Sequence, residues 1–288
     1  MTTSASKQTK LNVQQTVLCD VDSLGIATLT LNRPDKHNAF DDKLIARLTT
    51  HLNTLALHPE VRCLVLRANG KHFSSGADLN WMRAMAAQTA EQNLQDAKQL
   101  ANLMHVLDTF PHPTIALVQG CAFGGALGLI CCCDVAIAGH DARFCLSEVK
   151  LGLIPATIGP YVCRAIGTRQ ARRYMLTAER IGAPQAKQIC LIHEVVDNEE
   201  MEARVDHFIQ AFLTSSPAAL VQAKRLCQHC DGQPIDQPLM DLTSEMIANI
   251  RVSEQGQEGL NAFFDKRPAR WVTSLPPVGN GKGGERNE

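Results

Sequence analysis

Ile115-Ala116-Leu117-Val118-Gln119-Gly120-Cys121-Ala122-Phe123-Gly124-Gly125-Ala126 decides the fold. Pro113 introduces a β-branched and leucine run, and a glycine-rich turn over 119–125 follows it. A small-residue helix ending near Cys133 comes next, and Val135-Ala136-Ile137-Ala138 reads as another strand. Strand, turn, helix, strand argues an α/β layer architecture. Working outward, Ile26–Leu31 is a strand that ends at Asn32-Arg33-Pro34, and Leu44, Ile45, Leu48, Leu52 and Leu55 recur at helical spacing. Cys63–Leu66 is a short buried strand, and residues 90–107 form an amphipathic helix. The text changes near residue 200. Segments 201–213, 217–230, 236–250 and 254–264 all read as helices. The expected organisation is an α/β core over 12–198 and a helical region over 199–272, with disordered ends at 1–11 and 273–288.

Composition narrows the class of function. A formal net charge of −1 gives no global basic field for nucleic acid or an acidic membrane. The N-terminal MTTSASKQTK lacks an apolar stretch and does not read as a secretory signal. No run of about 18 apolar residues suggests a membrane span. Eleven cysteines are many, but the number is odd and Cys131, Cys132 and Cys133 are consecutive. That pattern suits a reducing cytoplasm and mostly buried free thiols. Cys227 and Cys230 have metal-ligand spacing without a second pair, so no metal site is expected.

Three stretches can carry chemistry. In Phe73-Ser74-Ser75-Gly76-Ala77-Asp78-Leu79 the glycine would turn consecutive N–H groups towards a pocket at a strand end. The competing reading is a surface loop capping the next helix through Asp78. Gly120 to Gly125 opens a helix with free N–H groups, and its spacing matches neither the dinucleotide nor the phosphate-loop motif. An anion or oxyanion site remains, against close helix–strand packing as the alternative. Glu148 is an acid in a largely apolar stretch, Leu146 to Pro155, where desolvation would make it a usable base. A surface salt bridge to Lys150 or Arg143 is the alternative.

Together these segments resemble the crotonase family, the enoyl-CoA hydratases and isomerases. The resemblance rests on Leu31 to Ala39, Phe73 to Asp78, Gly120 to Gly125 leading to Cys133-Asp134, Ser147-Glu148-Val149 with Gly152 to Pro155, and Phe263 to Pro268. It implies an α/β ββα-superhelix core with a helical C-terminal trimerisation region, assembled as trimers or dimers of trimers. It implies that Lys36, His37 and Ala39 line the coenzyme A path and that Gly76, Asp78, Leu79 and Gly124 border the site. Ala77 and Gly125 would supply two oxyanion-hole N–H groups, and Glu148 the proton-handling acid. Lys266 would reach a neighbouring subunit's coenzyme A phosphates. No cofactor is implied, because coenzyme A is part of the substrate. One departure stands out: Gly128 occupies the position where typical hydratases carry a second glutamate. The string Ala122 to Leu129, with Leu146 to Val149 and Arg172-Arg173-Tyr174, resembles bacterial methylglutaconyl-CoA and isohexenylglutaconyl-CoA hydratase-like members, which act in leucine and acyclic-terpene breakdown. A second substrate carboxylate would want a cation, with Arg83 and Lys150 as candidates. The expected activity is hydration of a branched 2-enoyl-CoA, 3-methylglutaconyl-CoA first. Double-bond isomerisation by Glu148 alone and silent acyl-CoA binding are the alternatives.

Overall fold

A computed structural model describes residues 15–275. The nine strands among these residues are β1 (Val17–Val21), β2 (Ile26–Leu31), β3 (Cys63–Ala68), β4 (Thr114–Val118), β5 (Cys121–Phe123), β6 (Val135–Gly139), β7 (Arg143–Cys145), β8 (Ile181–Gly182) and β9 (Glu194–Val196). The ten α-helices among the described residues are α1 (Asp42–Ala56), α2 (Leu79–Ala86), α3 (Ala90–Asp108), α4 (Gly125–Cys131), α5 (Gly159–Thr177), α6 (Ala183–Gln188), α7 (Met201–Thr214), α8 (Pro217–Cys230), α9 (Gln237–Val252) and α10 (Glu254–Phe264). The main sheet runs β1-β2-β3-β4-β6-β9 and is parallel apart from the β1–β2 pair. A smaller sheet runs β5-β7-β8.

Side-chain alternation along the central strands explains the two layers. Ala27, Leu29 and Leu31, then Leu64, Leu66, Ala116 and Val118, face the larger core with α1 and α3. Ile26, Cys63, Val65, Ile115, Leu117 and Ile137 face the other way, onto Met201, Val205, Ile209 and Leu213 of α7. The period of two sends neighbours to opposite faces, so one slip of register would exchange the cores. Each of the buried leucine, isoleucine and valine side chains among them contributes about 1.5–3 kcal/mol relative to exposure. α7 therefore covers one face of the main sheet. No helix among the described residues is long and apolar enough to cross a membrane.

Several expectations are corrected. The 119–125 turn contains strand β5, and the helix after it ends at Cys131. α5 carries weak periodicity because Gly167, at φ 73°, kinks it and shifts the buried face midway. The expected termini at 1–11 lie outside the described residues. Residues 273–275 are tied down: Thr273 N–H donates to Leu213 O at 3.3 Å and Leu275 N–H to Gln210 Oε1 at 2.9 Å. Disorder is therefore not expected to begin at 273. All eleven cysteines are free, but only Cys63, Cys132, Cys133 and Cys145 are fully buried, while Cys19, Cys190, Cys227 and Cys230 are exposed. Exposure of the last two follows from their place on α8, which buries no residue within the chain. Burial pushes the Cys131 and Cys133 thiols up to about 12, so neither is a ready thiolate.

The turn after α10 is held by one acid. Arg267 donates to Glu258 Oε1 at 2.7 Å and Oε2 at 3.0 Å, and Arg270 N–H donates to Oε1 at 2.9 Å. The Arg267 hydrogen bonds, outweighing burial, hold the Glu258 carboxyl down at about 2. A depressed carboxylate stabilises the fold above its unfolded value, roughly 4.3, and loses that contribution as pH falls towards the folded one. Urea midpoints should therefore drop more for the wild type than for Glu258→Gln between about pH 5 and about pH 3.

Candidate active site

The loop Phe73–Asp78 is built into the smaller sheet as an extra edge. Ser74 N–H donates to Cys121 O at 3.0 Å, and Phe123 N–H donates to Ser74 O at 3.0 Å. On the other side, Phe40 N–H donates to Gly76 O and Asp78 N–H to Phe40 O, both at 2.7 Å. In a parallel pairing of this kind the bonded residues flank the paired one, so the Ala77 N–H points away from Phe40. It meets no acceptor among the described residues. Gly76 sits at φ 93°, and a Cβ there would stand 3.2 Å from Phe123 O, so this close approach needs glycine.

β5 runs directly into Gly124, whose N–H donates to Cys145 O at 2.9 Å. Gly124 has φ 54° and ψ −124°, and a Cβ on it would lie 3.2 Å from Glu148 Oε1. Gly125 is the first residue of α4, so its N–H has no intrahelical partner, and none is found elsewhere among the described residues. A Cβ on Gly125 would lie 3.6 Å from Phe40 Cδ2. Phe40 thus touches both the Ala77 strand and the start of α4.

Glu148 opens a short 3-10 turn, Glu148–Leu151, just beyond β7. Its Oε2 is fully buried without a hydrogen-bond partner among the described residues. Burial raises its pKa above the ordinary carboxylate value, against a smaller opposing effect of a backbone hydrogen bond. The result is two free N–H donors, two close-approach glycines and one buried carboxyl in a single neighbourhood. Such a site can hold an oxygen that gains negative charge while a proton moves nearby.

Gly128 is buried on the inner side of α4. A Cβ there would lie 2.3 Å from Ile158 Cγ2 and 2.8 Å from Met104 Sδ. The place of a second acid is therefore filled by hydrocarbon and sulfur. Gly128→Ala should cost about 1–3 kcal/mol in urea unfolding, because branched Ile158 must shift. Gly128→Glu should destabilise further and raise no hydration rate.

The other expected residues divide. Lys36 Nζ lies 3.6 Å from Asp78 Oδ2, and the His37 ring, at φ 49°, stands edge-on to His72 at 5.1 Å. Ala39 is buried and gives its carbonyl to Arg33 at 3.0 Å. Asp78 caps α2, accepting from Asn80 N–H at 2.8 Å, as the capping reading of this loop expected. Leu79 is exposed. Lys266 is not brought to these loops: it is exposed after α10, which packs on α8 and α9. Arg83 and Lys150 are exposed and unpaired among the described residues. An open cleft of about 880 Å³ adjoins Lys36 and Asp78 and is lined by Trp81 and Asp96 among others, but not by Glu148. Phe40, Asn38 and Asp41 were not singled out from sequence. Buried Asn38 donates to Asn69 O and His72 O, both at 2.9 Å, and stitches the loops together. An asparagine inside a motif otherwise read for its cations was the available signal.

This is an α/β scaffold with two unpaired backbone N–H groups and a buried carboxyl gathered around β5 and the start of α4. Comparison with known proteins places this scaffold in a family. The Enoyl-CoA hydratase/isomerase family model matches residues 22–274. An enoyl-CoA hydratase structure from Shewanella pealeana is 53% identical with a TM-score of 0.87, covering 92% of this chain and 100% of that one. Pseudomonas aeruginosa AtuE is 33% identical with a TM-score of 0.86, covering 90% and 100%. The 2,3-dehydroadipyl-CoA hydratase of Escherichia coli K12 is 31% identical over 243 residues, covering 84% of this chain and 93% of the relative. The chain belongs to the enoyl-CoA hydratase/isomerase family, with the crotonase fold, and is an enzyme of that family.

Proposed function

We propose that the enzyme hydrates a branched 2-enoyl-CoA, with 3-methylglutaconyl-CoA the first candidate. The observation that carries the reading is the Glu148 carboxyl, with Oε2 buried and unpartnered and Oε1 against Gly124, next to the free N–H groups of Ala77 and Gly125. In this reading the Glu148 carboxylate takes a proton from water as the water oxygen bonds to C3. The C2–C3 π pair moves to C1–C2, and the thioester oxygen gains the negative charge. Ala77 N–H and Gly125 N–H hold that oxygen. The enolate then takes the proton from Glu148 at C2, which restores the thioester and the carboxylate. One carboxyl serves as base and then acid, so the net addition is one water. The relative named for 2,3-dehydroadipyl-CoA gives precedent for an acyl chain with a second carboxylate. Exposed, unpaired Arg83 and Lys150 are the available cations.

A second reading is supported by the filled position at Gly128: a site with one acid suits double-bond isomerisation, with Glu148 moving a proton between C4 and C2. The reading also includes a homo-oligomer, a trimer or a dimer of trimers. α8 and α9 bury no residue within the chain, and Ile247, Phe263 and Phe264 are exposed. Lys266 beside them would serve a neighbour's coenzyme A. A reducing, cytoplasmic setting is supported by the odd cysteine count and the Cys131–Cys133 run. The test is a turnover panel of enoyl-CoA esters followed by loss of enoyl-thioester absorbance. 3-Methylglutaconyl-CoA should be consumed fastest, and no loss with any 2-enoyl ester would overturn the hydratase reading.

A further inference from the structure

We propose that Arg33 is the positioning residue of the oxyanion loop: one guanidinium grips both sides of Phe40 and the residue after Ala77, and so sets where the Ala77 N–H points. The inference rests on the reading of Ala77 as a donor. Arg33 is 8% exposed, in the link between β2 and α1. Its Nη1 donates to Ala39 O at 3.0 Å and to Asp41 Oδ2 at 2.7 Å, and its Nη2 donates to Asp78 Oδ2 at 3.2 Å. Ala39 and Asp41 flank Phe40, and Asp78 follows Ala77. The clamp therefore spans the pairing that turns the Ala77 N–H away from Phe40.

Only a fork can do this. A guanidinium offers several donors in one plane, whereas an ammonium is a single compact charge on a flexible stem. The backbone of Arg33 is fixed in turn: its N–H donates to Asn38 Oδ1 at 2.8 Å, and its carbonyl accepts from Asn38 N–H at 2.9 Å. Asp78 has a separate oxygen for each task, Oδ1 for the α2 cap and Oδ2 for Arg33 and Lys36. Burial alone would raise the Asp78 pKa, but the Asn80 and Trp81 N–H groups and the Lys36 and Arg33 charges hold it below the ordinary value. It is thus an anion throughout the working range, and the clamp does not loosen near neutrality.

Two variants test this. Arg33→Lys keeps the charge and loses the fork. Asp78→Asn keeps a good helix cap and loses the carboxylate that anchors the Ala77 side. The readouts are kcat and KM per folded enzyme, and the infrared carbonyl band of bound isovaleryl-CoA labelled with carbon-13 at C1. Wild type should shift that band below its position in free ligand. Both variants should lose much of the shift and fall on the order of 10–100-fold in kcat with little change in KM. If Arg33→Lys does not fold, Asp78→Asn decides alone. Full kcat and an intact shift in the folded variants would overturn the proposal. A wild-type band at the free position would overturn the oxyanion reading, and the proposal with it.

Discussion

Glu148→Gln should lower turnover by about 10²–10⁴-fold while making the protein more stable at neutral pH. Both effects have one cause. The carboxyl is desolvated, and its Oε2 has no partner among the described residues, so the ionised form needed to take a proton is costly in the fold. The sign follows from linkage: with a folded pKa above the unfolded one, the native state is favoured below the unfolded pKa. It loses that advantage as pH rises through the folded pKa. A neutral amide removes the loss, so thermal midpoints of variant and wild type should diverge as pH rises from about 4 to about 7, the variant melting higher. The wild-type rate should fall on acidification, with an apparent pKa above the ordinary glutamate value, because protonated Glu148 cannot accept from water. Activity and thermal unfolding measured on the same preparations check both. A Gln variant with wild-type activity would exclude Glu148 as the proton carrier.

The second large effect concerns a donor that has no side chain. Gly125→Pro should lower kcat by about 10²–10³-fold, whereas Gly125→Ala should keep most of the activity. Gly125 is the first residue of α4, where proline is tolerated because the N–H has no helical partner. Proline deletes that N–H and sets its ring carbon where the thioester oxygen would sit. Alanine keeps the N–H, and its Cβ would make ordinary contact with Phe40 Cδ2 at 3.6 Å. Circular dichroism should be unchanged in both. Equal losses in the two variants would point to packing against Phe40 rather than to the hydrogen bond.

Much of the scaffold could be read along the chain because its signals are local. The β2, β3, β4 and β6 runs are short, apolar and bounded by Pro34, Asn69, Pro113 and Asp134, and the α1 leucines keep one face. β5 and β7, three residues each, could not be read: they exist because they pair with each other, and β5 with Ser74, across the fold. α2 was also hidden. It is short and has no buried residue, and it owes its start to the Asp78 cap. In the site, glycine pairs and a lone acid in apolar surroundings marked Gly124, Gly125 and Glu148. Phe40 and Asp41 carried no such mark. Their role depends on Gly76–Asp78 pairing across thirty-odd positions of chain, which no spacing encodes. Gly128 was legible as a departure, but its filling by Ile158 and Met104 is a packing fact.

The central claim is that a single carboxyl and two backbone donors add water to an enoyl thioester. Turnover of 3-methylglutaconyl-CoA in water enriched in oxygen-18, followed by mass spectrometry of the acyl product, tests it most directly. The account predicts one heavy oxygen bonded to C3 of a 3-hydroxyacyl thioester. Migration of the double bond with solvent hydrogen in the chain and no oxygen-18 at C3 would contradict it.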